Sequence, residues 1–414
     1  MTQHVIIIGA GIVGASTALW LLRSGVQVTV IDRAGWASGT SHGNAGVLAA
    51  ASMVPVTAPG LARKAPAMLL NPDVPLFLRW GYLPRLLPWL RKYLAHANDT
   101  DTRRIATGLA PIVSDSVDQH RALAQGTAAD AWLEDSNYSF AYRTKAEFEA
   151  EHYGWALRAA HGAVPDLIEG ADVHAFEPTL APDIRFIATL PNHGYVRDPG
   201  GYVKALGQEV EALGGTLLTA EVTGFDTPGD VFEAVQTSQG RVAGDRAVLT
   251  TGVWSKPLMA ALGITVPLET ERGYHIVFEG AQGGPSHPVM LASGKFVATP
   301  MAQGVRCAGI LEFGGLDAGP SKAPFALLRR QTKAAFPNMT WDREIEWQGH
   351  RPATTDSLPL IGEVRNTGIY TGFGHHHIGL TAGPKTGRLI AQLITGQAPN
   401  MDLTPYAPSR FADP

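Results

Sequence analysis

An α/β protein built around a parallel, nucleotide-binding sheet is expected from three features of the sequence. An apolar run, Val5-Ile6-Ile7-Ile8, enters a glycine-rich turn; a helix-forming segment follows; and a second apolar run, Val28-Thr29-Val30-Ile31, ends on Asp32. Continuous β-branched runs suit strands buried on both faces, and this strand–turn–helix–strand–acid order is the setting in which GxGxxG binds a dinucleotide. In Gly9-Ala10-Gly11-Ile12-Val13-Gly14, Gly9 permits the tight bend and Gly11 lets backbone N–H groups approach a pyrophosphate. Gly14 lets the helix close on the sheet, and Ile12 and Val13 begin that helix, whose unsatisfied N–H donors and positive dipole end suit phosphate. Ala15, Ala18, Leu19 and Leu22 form its apolar face, with Gly25 placed as its cap. Asp32 stands where a carboxylate accepts both hydroxyls of an adenosine ribose.

Composition narrows the alternatives. A chain of 414 residues with 45% hydrophobic content has material for one large or two medium cores. The net charge of −4 argues against a nucleic-acid-binding surface. The single cysteine, Cys307, excludes an internal disulfide and fits a reducing compartment. The N-terminal apolar run lacks a basic flank and breaks at glycines, so a cytoplasmic protein is expected.

A second ligand-facing segment lies near the other end of the chain. Gly368-Ile369-Tyr370-Thr371-Gly372-Phe373-Gly374 reads as a short strand entering a turn, then a helix from about Thr381 to Thr395 capped by Gly396. The turn Gly374-His375-His376-His377-Ile378-Gly379-Leu380-Thr381 therefore aims a helix N-terminus at a ligand. Nicotinamide dehydrogenases keep their nucleotide domain in one block, whereas these segments are far apart. A helix dipole directed at the N1/O2 edge of a flavin stabilises the charge gathered there on reduction, which favours FAD over NAD.

With Thr40-Ser41-His42-Gly43-Asn44-Ala45-Gly46, Thr251-Gly252-Val253-Trp254-Ser255, Arg272-Gly273-Tyr274 and Arg351-Pro352-Ala353-Thr354-Thr355-Asp356-Ser357-Leu358-Pro359-Leu360-Ile361-Gly362, these segments resemble the D-amino-acid oxidase-like FAD oxidoreductases. Within that family the chain is most similar to bacterial D-amino-acid dehydrogenases of the small-subunit type. The resemblance covers nearly the whole chain and implies a glutathione-reductase-like FAD domain assembled from residues 1–60, 196–265 and 345–414. A substrate domain with a mixed sheet would comprise 61–195 and 266–344. It also implies FAD contacts from Arg33, Ser41, His42, Asn44, Ala45, Gly46, Val222 (beside the adenine), Thr251, Gly252, Trp254 and the Gly374–Thr381 loop. Some relatives attach flavin through a cysteine beside the Arg-Pro segment; none stands here, so FAD is expected to be noncovalent.

The chemistry implied is hydride removal from the α-carbon of a neutral-amine substrate, which requires the C–H within about 3–3.5 Å of flavin N5. A planar guanidinium matches a substrate carboxylate. By resemblance Arg306, in the strand-like Gly304–Gly309, is the favoured clamp and Arg351 the second, with a flavin contact as its other role. Tyr274 is either a carboxylate donor and cover or a half-buried strand aromatic. His42 either tunes amine protonation or caps a loop. His375, His376 and His377 point in divergent directions with no acidic ligand near in sequence, so flavin or substrate contact is preferred to metal, and His376 joins the candidate catalytic groups.

Two further segments need a reading. Gly39-Thr40-Ser41-His42-Gly43 matches the GxSxG hydrolase elbow, but glycines break its approach and a loop follows it. Pro75 to Asn98 carries Arg79, Arg85, Arg91 and Lys92 among aromatics and leucines, without an acid. It is read first as a helix packing its aromatics inward, and second as a peripheral contact with the inner face of an anionic membrane. The expected activity is oxidation of a D-amino acid, with D-proline and hydroxy-D-proline suggested by the flavin loop, and electrons passing to a quinone or other acceptor. A glycine- or sarcosine-type oxidase, a 2-hydroxy acid dehydrogenase, and a flavin subunit requiring a partner are the alternatives.

Overall fold

The computed structural model describes residues 3–71 and 73–411. Six strands form the first sheet in the order Leu360–Glu363, Ile369–Phe373, Arg246–Leu249, His4–Ile8, Gln27–Asp32 and Thr216–Thr219. All neighbours are parallel except the first pair. Val5, Ile6 and Ile7 are wholly buried, as are Val248 and Leu249 opposite Ile7 and Ile8, because helices or other strands cover both faces. The sheet is assembled from three stretches of chain distant in sequence.

The second sheet has ten strands of mixed direction. Its main path runs Arg343–Thr354, Leu268–Glu279, Gly304–Phe313, Phe296–Met301, Val289–Leu291, Leu133–Tyr142, Phe186–Val196 and Val47–Leu48, while Leu76–Leu78 and Asp166–Glu169 attach beside it. Arg306 and Cys307 lie on the central strand Gly304–Phe313. Burial among apolar neighbours pushes the Cys307 thiol up to about 12, as befits a core residue. A three-stranded antiparallel sheet, Val222–Asp226, Ala234–Thr237 and Gly240–Ala243, flanks the first.

One helix boundary differs from the sequence reading. The C-terminal helix spans Gly379–Ile394 and so begins before Thr381. The helix Pro199–Ala212 starts at its proline because Asp198 caps it through Gly200 N–H and proline fits the first turn. Thr216 to Val222 splits between two sheets. The described part of the C-terminal tail packs onto the protein: Tyr406 is buried, and Arg410 Nε donates to Asp356 Oδ2 at 2.7 Å.

The aromatic segment forms the helix Leu83–Ala95, with Pro84 in its first turn and Pro88 on its exposed side. Leu86, Trp89 and Tyr93 pack against Phe313 and Ala353, while Trp80, Leu87, Arg85, Arg91 and Lys92 face outward. Among the described residues, no helix is long and apolar enough to cross a membrane.

Candidate active site

Glycines bring two helix N-termini to one place. Gly9 has φ +107°, and its carbonyl accepts from Thr250 Oγ1 at 3.0 Å, tying the turn to the neighbouring strand. A Cβ on Gly14 would stand 1.9 Å from the Gly9 carbonyl oxygen, so only glycine allows this helix to close on the turn. The helices Ile12–Arg23 and Gly379–Ile394 then cross closely: a Cβ at Gly383 would lie 2.8 Å from Ile12, and one at Gly387 2.6 Å from Ser16. Neither helix has a side-chain cap at its N-cap residue, although Ile12 N–H donates to Ser41 Oγ at 3.0 Å from the neighbouring loop. Their first turns open on one cavity of about 420 Å³.

Strand periodicity supplies one wall. Alternate residues share a face, so Glu271 and Gly273 of one strand and Trp347, Gly349 and Arg351 of its neighbour all line the cavity. Glu271 pairs with Arg351, and the glycines pair between them and Trp347. The Trp347 indole occupies the space where a Cβ on Gly43 or Gly349 would stand. Of the residues nominated from sequence, Gly11, Ile12, Val13, Ser41, Asn44, Ala45, Gly252, Tyr274, Arg351 and His375 to Thr381 line the cavity.

Others stand outside it. Asp32 Oδ2 accepts from Ala10 N–H at 2.9 Å and Oδ1 from Ala34 N–H at 2.8 Å, so this carboxylate also braces the glycine turn. Arg33 stacks over Trp254, 4.3 Å from the ring centroid. Thr251 Oγ1 bonds to Ser255, Gly46 hydrogen-bonds to Asn44 Oδ1 and Val196, and Val222 begins the flanking sheet.

Arg306, expected by resemblance to be the favoured clamp, commits one nitrogen to the protein while its Nε is buried without a partner. Its Nη1 donates to the carbonyls of Asn44 at 2.6 Å and His42 at 3.2 Å, and the side chain does not line the cavity. It braces the 42–44 loop, and burial pushes its pKa down to about 10, still a cation at neutral pH. His42 lies on that loop with its ring centroid 6.3 Å from that of Trp347. Burial and Arg306 both lower its pKa, yet its ring does not line the cavity. Tyr274 faces the cavity edge, but its hydroxyl proton goes to Glu312, so it has none for a substrate carboxylate.

Arg351 has the opposite character. It lines the cavity and its guanidinium makes no hydrogen bond among the described residues. Burial lowers its pKa while the nearby Glu271 works to raise it. Glu271 Oε1 is buried without a hydrogen-bond partner; His376 Nδ1 lies 3.9 Å away. His376 itself holds φ +49°, and its Nε2 bonds to the Thr354 carbonyl at 3.0 Å. His375 Nε2 bonds to Thr386 Oγ1 at 2.9 Å, and burial pushes its pKa down to about 3. His377 opens to the cavity, although the protein packed around it, with His376 and Arg351, also pushes its pKa down to about 3.

The uncapped helix ends and the Gly9/Gly14 cradle, which no Cβ can enter, fit a dinucleotide. The model of the FAD-dependent oxidoreductase family matches residues 4–393. This chain belongs to that family. The enzyme is 38% identical to a D-amino-acid oxidase of Bradyrhizobium diazoefficiens, with 99% of each chain covered. It is 31% identical, again over 99% of each, to D-amino acid dehydrogenase 2 of Pseudomonas aeruginosa. In fold it resembles glycine oxidase from Geobacillus kaustophilus, with a TM-score of 0.74 at 20% identity and 99% of each chain covered. L-proline dehydrogenase from P. horikoshii gives the same TM-score and identity, covering 99% of this chain and 98% of that one. The enzyme is therefore an FAD-dependent oxidoreductase with the expected α/β architecture.

Sequence reasoning missed Thr40, Thr250, Glu271, Trp347, Tyr138 and Arg158 among the cavity residues. Thr250 adjoins the nominated Thr251-Gly252 and was findable by its place at a strand end. It also missed His120 as a support of the helix Gly379–Ile394, whose first turn lines the cavity. Its Nε2 bonds to the Leu380 carbonyl at 3.0 Å, which requires the proton there, so Nδ1 accepts from Tyr202 Oη at 2.9 Å.

Burial pushes the pKa of His120 down from 6.5 to about 4. The unfolded chain takes up the proton first, so this contribution to stability is present above pH 6.5 and lost as pH falls through 4. In that window this one group costs about 1.4 kcal/mol per pH unit. His120→Gln, which retains a donor for Leu380, is expected to flatten the acid limb of a thermal-midpoint curve followed by flavin release. An unchanged slope would contradict this role.

Proposed function

We propose that the enzyme oxidises D-amino acids at the α-carbon, with Arg351 holding the substrate carboxylate. The carrying observation is that Arg351, and not Arg306, presents an unengaged guanidinium to the cavity entered by both helix N-termini. The relatives named D-amino-acid oxidase and D-amino acid dehydrogenase support this substrate class.

FAD, when bound, supplies the hydride acceptor. In this reading Gly9, Gly11, Ile12, Val13 and Gly14 hold its pyrophosphate, Asp32 its ribose and Val222 its adenine. Ser41, Asn44 to Gly46, Thr251, Gly252 and Trp254 pack along it, and His377 to Thr381 present helix N–H groups to the ring. The FAD-binding unit comprises 1–60, 196–265 and 345–414, except that 345–354 pairs into the mixed sheet that carries Arg351. Arg351 fixes the carboxylate by two parallel N–H donors, and Glu271 accepts from the substrate amine, orienting the α-hydrogen. Gly273 lets the Arg351 guanidinium lie against the strand and Gly349 seats the Trp347 indole, while the His375–Leu380 turn excludes water from this wall.

The outward face of the Leu83–Ala95 helix, with Trp80, Leu87, Arg85, Arg91 and Lys92, supports contact with an anionic membrane and hence a quinone as acceptor. Turnover of the isolated chain tests the activity: D-amino acids, including D-proline and hydroxy-D-proline, should reduce an artificial acceptor without a partner subunit, and anionic vesicles carrying quinone should substitute for it. Turnover that requires a second protein would overturn the self-sufficient reading. Turnover with oxygen alone would assign the enzyme to the oxidases.

A further inference from the structure

The cavity holds a second unengaged cation. Arg158 lies on the helix His152–Ala160 and lines the cavity with Tyr138, Phe140, Met290, Lys295 and Val297. Its guanidinium lies 4.8 Å from the Trp155 ring centroid and 5.1 Å from that of Phe140. Among the described residues it makes no side-chain hydrogen bond and no salt bridge, and its Nε is fully buried without a partner. The nearby carboxylate, Glu151, is committed elsewhere: Oε2 accepts from Tyr142 Oη at 2.9 Å and Oε1 pairs with Lys295 Nζ. Tyr138 is buried beside it, and its hydroxyl also has no protein partner in the described residues.

Buried guanidinium groups are normally paired, since stripping water from a charge without replacing its hydrogen bonds is costly. Aromatic faces recover part of that cost through cation–π attraction but leave the in-plane N–H donors unused. Burial lowers the pKa of Arg158, yet an arginine remains protonated at neutral pH. Four charged side chains line the cavity, and Arg158, Lys295 and Arg351 outnumber Glu271, with Lys295 alone neutralised by an ion pair. Once Arg351 takes an α-carboxylate, Arg158 remains for a second acceptor.

We propose that Arg158, assisted by the Tyr138 hydroxyl, anchors an anionic side chain, so that the preferred substrates are acidic D-amino acids held by an arginine at each end. This rests on the D-amino-acid reading above. Phe140, Met290 and Val297 form apolar walls suited to the methylenes between the two carboxylates.

The test uses the FAD-loaded enzyme with matched acid and amide pairs, D-glutamate with D-glutamine and D-aspartate with D-asparagine, and D-norvaline as the neutral reference. The acids should exceed the amides in kcat/KM by about 10- to 10²-fold, the scale of one buried charge-assisted contact. Arg158→Met, which keeps the packing on Trp155, should abolish that ratio while changing D-norvaline by less than about threefold; Arg158→Lys should restore part of it. Equal loss for every substrate, no change, or a wild type that prefers D-norvaline or D-proline would each overturn the proposal.

A readout independent of turnover is the flavin absorbance change on adding glutarate or butyrate. Glutarate should bind more tightly, and Arg158→Met should remove the difference; equal binding in the wild type would overturn the proposal. If glutarate discrimination depends on Arg158 but no D-amino acid is oxidised, the substrate class has failed and the anion subsite stands.

Discussion

Replacing Arg351 with Met is expected to lower kcat/KM for carboxylated substrates by about 10²- to 4 × 10³-fold, because truncating one partner of a desolvated charge pair costs about 3–5 kcal/mol and each 1.4 kcal/mol is tenfold. FAD content should remain close to wild type, since Arg351 lies on the mixed sheet and outside the glycine cradle. Arg351→Lys should recover only part of the loss: an ammonium carries the charge but lacks the planar fork. Neutral ligands without a carboxylate should lose little. A variant that keeps its catalytic efficiency would remove Arg351 as the clamp, and one that loses FAD in parallel with activity would move it to the cofactor.

Gly14→Val is expected to yield a colourless protein. A Cβ there would stand 1.9 Å from the Gly9 carbonyl and 3.0 Å from Thr250 Oγ1, so helix and turn would have to separate where their N–H groups must converge on phosphate. Gly25→Asn is the control. Gly25 also has a positive φ of +78°, but nothing lies within 4 Å of its Cβ position and asparagine tolerates that backbone. The control should keep its flavin, with a small loss of melting temperature. Flavin-to-protein absorbance ratios of both purified proteins check the pair; a yellow Gly14→Val enzyme would contradict the cradle geometry.

The glycine turn and its helix were legible in sequence because their geometry is local: the constraint on Gly14 comes from Gly9, five residues away. The C-terminal helix was legible for the same reason, although its start was not, since the turn His376–Ile378 runs directly into the helix at Gly379. That Gly383 and Gly387 seat it against Ile12 and Ser16 depends on a contact across most of the chain. The substrate end is a different case. Glu271 and Arg351 face each other only because two strands pair in one register, and Arg158 reaches the same cavity from a surface helix. Arg306 shows the limit best: its strand was read correctly, but the loop carbonyls that take its donors arrive from residues 42 and 44.

Anaerobic addition of paired D- and L-amino acids to the purified flavoprotein tests the central reading most directly, because flavin bleaching reports hydride transfer without any acceptor or partner. D-enantiomers should bleach the flavin and their L-counterparts should leave it oxidised. Bleaching by L-amino acids, or only by sarcosine or 2-hydroxy acids, would keep the family and cofactor but contradict the D-amino-acid function.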